Sequence, residues 1–101
     1  VSGSGPAYIF LLAEAMEAAA KAEGLADGAA RTLVLQTILG AARMLTESDE
    51  APAELRKRVT SPNGTTQAAI EAFQHGGFEA LVAGAIAAAS ERGRKLSAAN
   101  D

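Results

Sequence analysis

The sequence predicts an all-α domain of about five helices whose core is completed by a second chain or another domain. Three observations carry this. Alanine supplies 25 of the 101 residues, so strong helix formers dominate. No stretch of strand length alternates apolar with polar residues. Large core side chains are scarce: the aromatics, at 4%, are Tyr8, Phe10, Phe73 and Phe78. Alanine removes little apolar area from water, whereas each large side chain contributes about 1.5–3 kcal/mol on burial. A lone domain of this size is already marginal. The missing core volume must therefore come from another domain or another chain.

The first helix is expected over residues 6–23. Pro6 suits a helix start, Ser4 or Gly5 can cap it, and Gly24 supplies a left-handed stop. Glu14, Glu17 and Lys21 form its polar stripe, with Glu17 and Lys21 an i,i+4 pair. The rest of its circumference is mostly apolar, which predicts burial on more than one side. The second helix is expected to follow Asp27, read as its cap, and to reach about Glu47. Its centre, residues 33–42, is apolar in nearly every direction and reads as buried all round. Gly40 sits in its middle at a cost of about 1 kcal/mol relative to Ala. A close helix crossing would offset that cost.

Residues 47–50 form a polar break. Pro52 opens a short third helix to about Arg58. Ser61-Pro62 and Asn63-Gly64 are two turn signals in the loop that follows. A fourth helix starts at Thr65 or Thr66, and His75-Gly76-Gly77 ends it. The fifth runs from Phe78 to about Ser97, with Arg92, Arg94 and Lys95 suited to its C-terminal end. Residues 97–101 are expected to fray.

Charge and composition exclude several function classes. Nine basic against twelve acidic residues leave a net charge of -3, which argues against a nucleic-acid platform. The chain has no cysteine, so disulfides, thiolate metal sites and cysteine nucleophiles are excluded. A single histidine, His75, cannot build a histidine-rich metal site, and at a helix end it reads as a partner of the helix terminus. The acidic group Glu47, Asp49 and Glu50 reads as a solvated face. No metal is expected. The longest apolar run, residues 80–89, is far too short to span a membrane. The opening Val-Ser-Gly-Ser-Gly carries no basic residue and does not read as a signal peptide. The expectation is a cytoplasmic protein.

Two stretches stand apart. Ser2-Gly3-Ser4-Gly5-Pro6-Ala7-Tyr8 reads either as a leader to an ordinary capped helix or as a turn open enough for a flat ligand to approach its backbone. Thr60-Ser61-Pro62-Asn63-Gly64-Thr65-Thr66 reads either as a turn with a Thr cap or as an anion cradle. In the second reading, free N–H groups and the positive end of a helix face a carboxylate or phosphate. It is no P-loop, because the Gly-Lys-Ser/Thr ending is absent.

These two stretches, together with Gly40-Ala41-Ala42-Arg43-Met44-Leu45, occur in an order that resembles the C-terminal domain of pyrroline-5-carboxylate reductases. Glu14-Ala15-Met16, Gly24-Leu25, Gln36-Thr37, Pro52-Ala53-Glu54-Leu55 and Gly76-Gly77-Phe78 extend the resemblance over essentially the whole chain. The Ser-Pro-x-Gly-Thr-Thr segment is its most specific part. The family usually has Gly-Gly where this chain has Asn63-Gly64. Asn is the residue after glycine that best tolerates the left-handed region, so the loop shape should survive.

The resemblance implies reduction of 1-pyrroline-5-carboxylate to L-proline with NADPH or NADH, the last step of proline biosynthesis. It implies a helical dimerisation and substrate-binding domain over residues 1–101. The fold would be like the C-terminal domain of 6-phosphogluconate dehydrogenase, interleaved with a second chain. It further implies a homodimer, or a larger assembly of dimers. The nucleotide would be held mainly by an N-terminal Rossmann domain, for which this chain has no strand followed by Gly-x-Gly-x-x-Gly. The chain alone is then expected to be inactive, as an excised domain or a proteolytic product. Mapped onto this sequence, Ser61, Gly64, Thr65 and Thr66 bind substrate. Ser61 shapes the turn, the backbone N–H groups of Gly64, Thr65 and Thr66 take the carboxylate, and the Thr66 hydroxyl is the catalytic group that orients the imine. Ser4, Gly5 and Pro6 would lie near the nicotinamide. Two other readings remain open: a non-enzymatic helical homodimerisation module, and the helical part of a related hydroxyacid-type dehydrogenase. The latter calls for a lysine on a buried helix, and neither Lys21 nor Lys57 is so placed.

Overall fold

A computed structural model describes the backbone of residues 1–100 and the side chains of residues 1–98. Five α-helices follow one another: α1 (Gly5–Ala22), α2 (Asp27–Glu47), α3 (Pro52–Arg58), α4 (Thr65–His75) and α5 (Phe78–Asn100). No strand occurs among the described residues. The chain divides into two units, one of Gly5–Lys57 and the other of Val1–Ser4 with the chain from Arg58 onward. No helix of the described residues is long and apolar enough to cross a membrane.

In the first unit α1 and α2 form a helical hairpin. Local chemistry ends α1. Gly24 has φ 109, its N–H donates to Lys21 O at 3.0 Å, and the Leu25 N–H donates to Ala20 O at 3.2 Å. That pair of bonds is a Schellman motif, and its left-handed position is the one Gly occupies without strain. Glu17 and Lys21 meet at 3.6 Å, as their spacing predicts. Gly5 is the first helical residue and places Pro6 second, still within the first turn, where a missing N–H breaks no intrahelical bond.

Two expectations need correction, one at the start of α2 and one at the tail. Asp27 does not cap α2 from outside: Ala26 is the N-cap and makes no side-chain bond, and Asp27 opens the helix itself. There its charge still favours the positive helix end. Within one chain α2 is not surrounded, because only Ala30 and Val34 of its residues are buried, at 0% and 7% exposure. Leu33, Leu35 and Leu39 remain exposed, and a Cβ added at Gly40 would meet nothing within 4 Å. Likewise α1 buries none of its residues. The other correction concerns the tail: α5 continues through Asn100, since residues 96–99 include two alanines and no breaker. Asp101, the last of the residues expected to fray, lies outside the described residues.

In the second unit Gly76 and Gly77 join α4 to α5. The Gly76 N–H donates to Ala72 O and the Gly77 N–H to Gln74 O, each at 3.1 Å. Gly77 adopts φ 81, and its carbonyl accepts the first bond of α5, from the Leu81 N–H at 2.9 Å. One glycine thus stops one helix and starts the next. Phe73 and Phe78 pack edge to face across this turn, with ring centroids 5.2 Å apart.

Candidate anion-binding site

The loop before α4 is built from its residue types. Ser61, Pro62, Asn63 and Gly64 form a tight turn closed by the Gly64 N–H donating to Ser61 O at 3.1 Å. Pro62 pre-sets the second position, and Asn63 takes φ 60 at the third. Proline followed by a positive φ is the signature of a type II turn. Asn63 is the one non-glycine residue with positive φ among the described residues, so the shape survives where the family usually has glycine.

Gly64 is needed for a different reason. Its own backbone is extended, with φ -89 and ψ -178, a conformation open to any residue. A Cβ there, however, would sit 3.2 Å from Ser61 O and 3.4 Å from Ser61 Cβ. The turn is folded so tightly on itself that a side chain at Gly64 would push Ser61 away.

Gly64 is also the N-cap of α4 and makes no side-chain cap bond. The first intrahelical bond runs from the Ala68 N–H to Gly64 O at 3.2 Å. The N–H groups of Thr65, Thr66 and Gln67 precede it and point out of the helix start. No acidic residue stands in the first turn of α4, so the positive end of the dipole is not neutralised from within the helix. Thr65 is exposed and Thr66 half-buried. The arrangement presents donors and positive potential to a small anion, with a hydroxyl on Thr66 close by in the chain.

Of the residues singled out from the sequence, Ser61, Gly64, Thr65 and Thr66 come together in this one turn. One detail differs from expectation: the Gly64 N–H is engaged by Ser61 O, so the outward-facing donors shift one residue along, to Thr65, Thr66 and Gln67. Gln67 was not singled out. Its side chain reaches back to accept a hydrogen bond from the Asn63 N–H, and its amide nitrogen donates to Glu71 Oε1 at 3.0 Å. The signal was present in the sequence. A Gln three residues after an N-cap is half of a capping box, here reaching one residue beyond the cap.

Gly5 and Pro6 open α1, in the first unit. Ser4, half-buried, immediately precedes them. A Cβ at Gly3 would meet nothing within 4 Å, so the backbone there is open to a flat group. With no strand among the described residues, they contain no strand–turn–helix cradle for a dinucleotide pyrophosphate.

The described residues thus form an all-helical domain with an N–H-lined helix start after a Pro-Asn-Gly turn, a geometry suited to a small anion. The family described as pyrroline-5-carboxylate reductase dimerisation matches residues 1–96, and the chain belongs to that family. Pyrroline-5-carboxylate reductase of Pseudomonas aeruginosa is 60% identical over 97 residues, covering 96% of this chain and 36% of the relative. Pyrroline-5-carboxylate reductase 3 of Danio rerio is 46% identical, covering 95% and 33%. Among solved structures, the Coxiella burnetii pyrroline-5-carboxylate reductase superposes with a TM-score of 0.92 at 47% identity, covering 95% of this chain and 36% of that one. The Plasmodium falciparum enzyme, solved with NADP bound, gives 0.88 at 35% identity, covering 91% and 35%. The chain thus spans about a third of the length of the curated relatives it matches. Family membership displaces the hydroxyacid-type dehydrogenase reading.

Proposed function

We propose that residues 1–101 are the dimerisation and substrate-binding domain of a nicotinamide-dependent enzyme that reduces 1-pyrroline-5-carboxylate to L-proline. The observation that carries this reading is the family match over residues 1–96 falling on a chain whose Ser-Pro-Asn-Gly-Thr-Thr turn leaves the N–H groups at the start of α4 outward-facing. In this reading the nucleotide-binding domain lies outside the chain, as the greater length of the relatives supports. Ser4, Gly5 and Pro6 touch only the nicotinamide end. The setting is the cytoplasm, where reduced nicotinamides are available.

The chemistry follows from the site. The substrate carries a carboxylate and a ring imine. The carboxylate meets the N–H groups of Thr65, Thr66 and Gln67, with the helix dipole behind them. Ser61 and Gly64 hold the turn in the shape that leaves those groups free. Thr66 hydrogen-bonds the ring nitrogen through its hydroxyl. It orients the C=N bond, and an unperturbed alcohol is too weak an acid to protonate it outright. Reduction adds a hydride to the imine carbon and a proton, taken from solvent water, to the nitrogen. A reduced nicotinamide, when bound, supplies the hydride. The chain's own contribution is to fix the position of the acceptor carbon, which is worth many orders of magnitude when the geometry is near-attack.

A second copy of the chain completes the fold. Phe10, Leu11 and Leu81 are 70%, 66% and 70% exposed, apolar side chains with no cover in the single chain. A homodimer that interleaves these helices, alone or as the unit of a larger ring, supplies the cover.

The test uses the full-length protein. It should oxidise NADPH or NADH only when the imine acid is present, with proline as product. Thr66→Ala should lower kcat about five- to ten-fold, the loss expected for one ordinary hydrogen bond, with Thr66→Ser recovering most of it. Wild-type kinetics in Thr66→Ala would remove Thr66 from the mechanism.

A further inference from the structure

We propose that Gln67 is a positioning residue for substrate binding, a clamp that holds the Pro62-Asn63-Gly64 turn against the first turn of α4. The inference rests on the functional reading above and extends it to a side chain that the Ser-Pro-x-Gly-Thr-Thr segment does not include.

The Asn63 N–H lies two residues outside α4 and has no place in the helix's own bonding. Gln67 Oε1 accepts it. The same amide donates from Nε2 to Glu71 Oε1 at 3.0 Å, one helical turn further along. An amide is the side-chain group that accepts at one end and donates at the other. The two partners here, a backbone donor and a carboxylate, fix which end points where. Glu71 holds the Gln67 amide, and the amide holds the loop.

The turn requires such a clamp. Asn63 is in the left-handed region, which disfavours residues other than glycine. The Gly64 N–H bond to Ser61 O closes the turn on itself, and the Ala68 N–H bond to Gly64 O ties its last residue to the helix. The Asn63–Gln67 bond ties the residue before it. A turn that swings away from α4 would draw Ser61 and Gly64 out of line with the Thr65, Thr66 and Gln67 N–H groups. Those N–H groups and the Thr66 hydroxyl belong to the helix and stay in place, but Ser61 and Gly64 would no longer shape the space beside the N–H groups in which the carboxylate sits. Gln67 therefore governs KM for the imine acid far more than kcat.

The experiment compares wild type, Gln67→Ala and Gln67→Met in the full-length protein. Ala and Met are both good helix formers, and Met keeps the length of Gln without its strong acceptor. Both variants should raise KM for 1-pyrroline-5-carboxylate about five- to ten-fold, the loss of one ordinary hydrogen bond, with much smaller changes in kcat and in KM for the nucleotide. Amide exchange at Asn63 should speed up in both by a similar factor, with the melting temperature unmoved. A KM equal to wild type, or a fall in melting temperature and kcat together without a KM effect, overturns the assignment. A wild-type protein that does not reduce the imine overturns the functional reading, and the clamp with it. A wild type that does, beside unaffected variants, overturns the clamp alone.

Discussion

The α1–α2 hairpin and the turn before α4 are opposite solutions to the same shortage of large side chains. The turn is complete within seven residues, 61–67. Ser61 O, the Asn63 N–H, Gly64 and Gln67 satisfy one another, and none of these contacts reaches beyond its own helix start. The hairpin is unfinished. It leaves Phe10 and Leu11 exposed and buries none of the α1 residues. The difference teaches where each kind of stability comes from. Hydrogen bonds between near neighbours close a loop at little entropic cost. An alanine-rich hairpin can gain comparable stability only by placing its few large side chains against another surface.

The largest expected effect tests the unfinished side. Phe10→Glu would be almost neutral if α1 faced water, because the side chain is already 70% exposed. If a second copy covers it, the substitution buries an unpaired charge at a cost of several kcal/mol. Sedimentation at micromolar concentration should then show wild type as a dimer or larger and Phe10→Glu as a monomer or an unfolded chain. A folded dimer in the variant would break the comparison.

A smaller effect sharpens the other side. Gly64→Ala places a methyl 3.2 Å from Ser61 O, so Ser61 must give by a few tenths of an ångström. The turn should open, raising KM for the imine acid while the dimer stays intact by sedimentation. Dissociation of the dimer would mean that the two regions are not energetically separate. Asn63 and Gly64 also differ in what they tolerate, since one needs its φ and the other needs its missing Cβ.

The smallest effect belongs to the ion pair of Lys21 with Glu17, at 3.6 Å and partly exposed on both sides. Lys21→Ala should change stability by under about 0.5 kcal/mol, measured by chemical unfolding, and should leave both assembly and turnover alone. A larger loss would indicate that a partner surface reaches the polar stripe of α1.

Much of this was legible because it is local. Gly24 as the end of α1, Pro52 as the start of α3, His75-Gly76-Gly77 as the hinge to α5 and Asn63 in the left-handed region each follow from what one or two residues can do to their own backbone. The five helices and the Ser61–Thr66 stretch were therefore readable residue by residue. Missed were the cap of α2, where Asp27 sits inside the helix and not before it, and Gln67, whose side chain works back along the chain toward the loop. A capping side chain looks the same in sequence whether it bonds or points to solvent.

By itself the sequence determined the helical class, the helix ends and the presence of an anion-ready turn, because propensity, glycine geometry and proline's missing N–H act within a few residues. Only the tertiary structure decided which N–H groups at that turn are engaged and which face outward. It alone placed Gln67 against Asn63, and it alone showed that α1 and α2 do not bury their apolar faces on each other. Those outcomes depend on atoms brought within 3 to 4 Å of one another by folding, a distance that spacing along the chain does not specify.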